Sequence, residues 1–298
     1  MKHVIHPSKQ KFVIVALAVG ATALGLAAAS RAIFAYQIGE FLKISLYVYI
    51  FLVVLENLVF DLHLRPVRTV GALERSFFAA IRERFHYIGE RRHFLHFQNY
   101  LVLPSIIYWA TVALFFLSPF ENTIKLILIL TTTLALGISF WYLKTVFYAH
   151  HEASRGKRQL LFIAKLYATF LAMSASLGIS RYFGHEVLWF ALLVFSISFL
   201  LMYQALFQHN YSGFKAVKFL LVSSISLGTI GYFVYIYWSV NYFSGALLLT
   251  AVYNAFWGII HHRYIDQNLT RELVYEYLAV LFVIVVILLG GTNFGERI

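Results

Sequence analysis

Apolar runs long enough to cross a bilayer recur along this sequence from end to end. They cover residues 12–29, 41–60, 101–120, 124–148, 160–179, 187–207, 217–238, 243–260 and 273–289. A helix crosses the hydrocarbon core with roughly 20 predominantly apolar residues. Inside lipid, a helix satisfies its own backbone hydrogen bonds. The expected fold is therefore all-α: a polytopic transmembrane bundle of about nine spans. Composition agrees, with 61% hydrophobic and only 12% charged residues. No polar stretch is large enough for a separate soluble unit, so residues 1–298 are expected to form one integral membrane domain. The first run follows Lys2, Lys9 and Lys11 and ends Ala-Ala-Ala-Ser. That is also the layout of a signal peptide, but the apolar part is long for one. It is expected to stay as the first helix.

Basic residues fall unevenly between the two sides that nine spans would create. Seventeen Lys and Arg lie on one side and four on the other, leaving out the intraspan Lys43, Lys144 and Lys165. Positive loops face the cytoplasm. The N-terminus is then cytoplasmic, and a multi-pass protein of the cell membrane is expected. The formal charge of +11 fits orientation and anionic lipid contact. No nucleic-acid-binding signature is present.

Residues 61–100 form the longest polar connection and carry seven arginines. Val70, Leu73, Phe77, Ile81, Phe85 and Ile88 recur at helical spacing, which predicts an amphipathic helix on the membrane surface. Glu83, His86, Glu90, His93 and His96 form a second stripe opposite it. Among the spans, Pro104 is expected in the first turn of its helix, where a missing N–H does least harm. Gly137, Gly178, Gly228 and Gly231 permit close helix packing. Glu56, Asn57, Lys144 and Asn254 are polar groups within spans. An intramembrane carboxylate faces the interior and needs a partner; Lys144 or Lys165 is the candidate for Glu56.

Histidine was not used to set the orientation, yet it follows it. His93 and His96 lead into the third span, His150 and His151 end the fourth, His209 ends the sixth, and His261 and His262 end the eighth. All seven fall on the basic side, with His3, His6, His63 and His86; only His185 falls on the other. With no cysteine in the chain, thiolate metal sites and disulfides are excluded. A metal would need imidazole and carboxylate ligands, a set that suits iron, zinc or manganese. The seven histidines are the candidate ligands. Glu90, Glu152 and Asp266 are candidate carboxylate ligands or hydrogen-bond partners of the rings. Asp266 stands four residues after His262, within reach if the helix continues. Glu90 lies three before His93, a spacing used in two-metal carboxylate bundles. The bland alternative is that histidine simply suits an interface, with half its ring apolar and its tip wet.

At His209-Asn210-Tyr211 and His261-His262-Arg263-Tyr264-Ile265-Asp266 the chain resembles a group of uncharacterised bacterial polytopic membrane proteins. Those carry a His-Asn pair and a His-His-x-Tyr-x-Asp motif at helix ends. A more distant likeness is to the histidine-box lipid desaturases and hydroxylases and the membrane carotene-cleaving oxygenases. Here the box is incomplete, because Phe147 and Gly258 stand where its leading histidines would be.

The expected function is a His-ligated metal oxidoreductase, with one or two iron ions, acting on a lipid or isoprenoid at the cytoplasmic face. Membrane lipid and an electron donor are its expected partners. A transporter or lipid carrier is the first rival, using Glu56, Asn57, Lys144, Lys165, Gln204 and Asn254 as a polar path. A non-catalytic membrane subunit or scaffold is the second.

Overall fold

The computed structural model describes residues 7–64, 91–117, 122–142, 155–209, 213–238 and 241–291; within these, the side chains of 7–10, 60–64, 91–99, 155, 157 and 158 lie outside the description. The described residues form nine α-helices and no strand. They are α1 Pro7–Phe34, α2 Ile38–Leu64, α3 Arg91–Leu117, α4 Asn122–Trp141 and α5 Arg155–Tyr182, followed by α6 Val187–Gln208, α7 Phe214–Tyr237, α8 Tyr242–Tyr264 and α9 Arg271–Gly291. All nine are long and apolar enough to cross a membrane. The all-α polytopic bundle expected from the apolar runs is what the chain forms. The expected surface helix falls mostly in 65–90, outside the described residues.

Successive helices run in opposite directions, as contacts at their ends show. At one end, Lys11 of α1 donates to the carbonyl of Trp141, the last residue of α4. At the same end, His209 after α6 meets His261 near the end of α8. At the opposite end, Lys125 of α4 lies over the Phe34 ring of α1. There Phe116 of α3 also packs on Tyr182 of α5 and Phe183 beyond it. The first end carries Lys215, Lys218, Arg263 and Arg271 and is called the basic end below. Rings gather at the other end, as they do at membrane–water boundaries.

Helix α5 is the hub. It packs against α3, α4, α6 and α8, while α1 pairs with α2 and α4, and α6 pairs with α7. Two-thirds of its apolar window is buried, the largest share of any span among the described residues. Its buried residues are largely small, including Ala164, Ala168, Thr169, Ala172, Ser174, Ala175, Ser176 and Ser180. Lipid offers no hydrophobic drive between helices, so small residues that allow close approach supply the packing. Polar contacts knit α3, α4 and α5. Thr111 and Thr132 share a hydrogen bond of 2.9 Å, and the Tyr167 hydroxyl lies 2.8 Å from Thr131 and 3.1 Å from Thr132. Such interhelical bonds contribute about 0.6 kcal/mol each on average.

Pro104 does not sit in a first turn. Helix α3 begins at Arg91, so Pro104 lies inside it. The apolar run marks only the lipid-embedded part; the polar residues before it extend the helix beyond the bilayer.

Helix α9 is peripheral. None of its residues is buried, and α8 is its main neighbour. Close approach there depends on Gly258: an added Cβ would lie 2.2 Å from Cζ of Tyr277. Gly258→Ala is expected to lower unfolding stability in detergent by about 1–3 kcal/mol through overpacking. In a Tyr277→Ala background the same substitution is expected to cost much less. Equal costs in both backgrounds, measured by thermal unfolding, would contradict this account of the α8–α9 contact.

Candidate functional site

The basic ends of α6 and α8 bring together three of the seven candidate histidines. Helix α6 stops at Gln208, and His209 caps it, its N–H bonded to the carbonyl of Leu206 at 3.0 Å. His209 and His261 meet edge to face with ring centroids 5.3 Å apart. His261 and His262 are 5.7 Å apart, also edge to face, and the buried Trp257 ring lies 5.8 Å from His261.

Asp266 links the pair. Its Oδ2 lies 3.1 Å from Nδ1 of His262 and 3.4 Å from Nε2 of His261. The route is not the continuing helix expected from the spacing, because α8 ends at Tyr264. The chain instead turns back. The N–H groups of Ile265 and Asp266 both bond to the carbonyl of His261, and that of Asn268 bonds to His262. Gln267 adopts φ +53°, the left-handed conformation that ends many helices. This turn returns Asp266 to the rings and sets Asn268 Oδ1 3.0 Å from His262 Nδ1. Tyr277 of α9 adds a fifth ring, its centroid 6.1 Å from that of His262. The side chains of His261, His262 and Asp266 are 30%, 22% and 38% exposed. The cluster is thus mostly buried and partly open at the basic end.

One step deeper, α5 and α6 contribute a polar pair that sequence spacing did not identify. The buried ammonium of Lys165 donates to Oε1 of Gln208 at 2.5 Å. Gln208 directly precedes His209, so this bond ties the hub helix to the residue that opens the histidine cluster. Lys165 therefore does not serve Glu56. Glu56 is buried on α2, and its Oε1 has no hydrogen-bond partner among the described residues. Beside it, Asn57 donates to the carbonyl of Val53 at 2.8 Å. Asn254 is half-buried on α8.

Of the remaining candidates, His93 and His96 lie in the first turns of α3, with side chains outside the description. Glu90, Lys144, His150, His151 and Glu152 lie outside the described residues. Among the described residues, no three His, Asp or Glu side chains are grouped so as to hold a metal ion. The described cluster is an imidazole–carboxylate arrangement able to bind polar atoms and to carry protons between its rings and Asp266.

A bundle of apolar helices with this cluster at one membrane boundary defines a polytopic membrane protein. The chain belongs to the family described as "Protein of unknown function (DUF5656)", which it matches over residues 36–290. That span takes in α2 to α8, all of α9 but its last residue, and every residue of the cluster. No curated protein and no solved structure matches the chain.

The Lys165–Gln208 bond makes a specific stability prediction. Gln208→Leu leaves a buried ammonium without its acceptor and is expected to cost about 2–3 kcal/mol. Adding Lys165→Met removes the charge as well and is expected to recover most of that loss. Thermal unfolding of the single and double variants tests it; a double variant no more stable than Gln208→Leu alone would contradict the pairing.

Proposed function

We propose that this chain is a membrane-bound oxidoreductase whose reactive centre is the histidine cluster at the basic end of α6 and α8. The observation that carries the reading is the convergence of His209 with His261, His262 and Asp266 from a distant part of the chain. Interfacial histidines placed only for their amphipathic character have no reason to meet ring against ring across two helices, with a carboxylate held between two of them. The bilayer would present the apolar substrate, a lipid or isoprenoid, and the cytosol would supply protons and an electron donor. The plasma membrane, with the basic end cytoplasmic, is the setting this reading implies.

A metal, iron in this reading, would supply the redox chemistry. The described residues alone do not form its site, so such an ion would have to draw further ligands from His93, His96, His150 and His151. Within the described cluster, Asp266 orients the two imidazoles, and Tyr277 packs against one side of it. The likeness to histidine-box oxygenases belongs to this proposal. It stops short at position 258, where a side chain larger than hydrogen would collide with Tyr277.

Metal analysis of the full chain purified in detergent tests the reading. About one to two equivalents of iron per chain are expected, falling at least several-fold in His261→Ala and in His209→Ala. Asp266→Asn is expected to weaken retention by about 10–100-fold, as loss of an outer partner to a ligating histidine does. A folded, metal-free preparation that resists reloading would overturn it.

One observation favours a second reading, a transporter. Lys165, Gln208 and Glu56 are buried ionisable or amide groups inside spans, a usual mark of a polar path. Substrate uptake in proteoliposomes that survives His261→Ala would decide for that reading.

A further inference from the structure

We infer that the open pocket beside the histidine cluster, lined by Arg263, Tyr264, Gln267 and Leu269, binds a phosphate-bearing anion. The pocket is about 510 Å³ and lies at the basic end, where α8 gives way to the turn before α9. Among the described residues its one charged lining residue is Arg263. The guanidinium is held over two rings, 5.5 Å from the centroid of Phe219 and 5.7 Å from that of Tyr264. Those rings are themselves packed together at 5.9 Å. The Tyr264 hydroxyl donates to the carbonyl of Lys215 at 3.4 Å, which joins α8 to the first turn of α7. Arg263 is thus positioned before any ligand arrives.

It is also uncommitted. Asp266, the nearest carboxylate in sequence, is taken by His261 and His262. No ion pair of Arg263 occurs among the described residues. A planar guanidinium stacked on aromatic rings keeps its N–H fork free for bidentate binding of phosphate oxygens. The surroundings add to the attraction. Lys215 and Lys218 lie in the first turns of α7, and Arg271 opens α9. With Arg263 that makes four cations at one boundary, the arrangement that gathers anionic headgroups. Gln267, on the other wall, holds its left-handed conformation where glycine would be easier, and so keeps an amide side chain at the pocket.

Phosphate could reach this pocket on a lipid headgroup or from water, and one experiment separates the two. Full-length protein in neutral detergent is titrated with phosphatidylglycerol and with diacylglycerol of the same acyl chains. Bound lipid is counted by native mass spectrometry. Phosphatidylglycerol is expected to bind at least about ten-fold more tightly than diacylglycerol, and Arg263→Gln to weaken it by about ten-fold. Arg263→Lys, which keeps the charge but not the fork, is expected to fall between wild type and Arg263→Gln. Lys125→Gln, at the opposite end, is expected to leave binding unchanged. Displacement of the lipid by inorganic phosphate would assign the pocket to an aqueous phosphate; failure to displace it would assign the pocket to the headgroup. Arg263→Gln and Arg263→Lys both binding phosphatidylglycerol as wild type does, or diacylglycerol binding equally well, would overturn the proposal. Neither outcome depends on whether the histidine cluster holds a metal.

Discussion

Hydrocarbon contains no water, so every polar group carried into it must be answered by the protein. The backbone is answered within each helix. Side chains are answered by two devices here. Short hydroxyls bond back to their own helix: Thr22, Ser45, Thr169, Ser198 and Thr250 each donate to the carbonyl four residues earlier. Longer groups reach across, as Tyr108 does to the carbonyl of Ser45 and Lys165 does to Gln208. The bundle is organised around α5, whose buried face is made largely of small residues that let neighbours approach closely. The same crowding makes its one internal cation dependent on a named acceptor. Not every group is answered: Oε1 of Glu56, Oγ1 of Thr133 and the hydroxyls of Ser174 and Ser224 find no hydrogen-bond partner among the described residues.

The spans were legible because bilayer thickness sets a length that the sequence must meet. The fifth to ninth apolar runs agree with α5 to α9 to within a few residues at most ends. Helix ends were less legible wherever polar sequence continues a helix into water. That is why Pro104, placed in a first turn by hydropathy, lies well inside α3. Charge asymmetry put His209, His261 and His262 at one end of the bundle, but an end has an area as well as a side. Only packing could show that α6 and α8 bring these rings into contact there. Asp266 was legible as a partner of His262 for the wrong reason. A four-residue spacing suggested a helix, whereas a left-handed Gln267 and a reversed turn deliver the carboxylate. The Lys165–Gln208 bond was not legible at all. Lys165 stood out as an intramembrane cation, but nothing in spacing ties it to one amide on another helix.

As the bundle is packed, Tyr277 occupies the space beside Gly258 that the leading histidine of a complete box would need. A box would place a histidine at 258, three residues before His261 and on nearly the same side of α8. In this bundle that place is filled by Tyr277, whose ring approaches so closely that not even a methyl group fits between. Tyr277 also faces His262, so α9 replaces a possible third imidazole of α8 with a phenol ring. The exchange changes the chemistry available. A histidine there would add a strong neutral nitrogen ligand, whereas tyrosine adds bulk, a hydroxyl and a wall against lipid. Any metal bound at this end must therefore take its further ligands from helices other than α8. That requirement points away from a site built on one helix and toward one assembled across the bundle. Helix α9 buries no residue fully, but its Leu281 and Leu288 pack against the core while Tyr277 lies beside the histidine cluster.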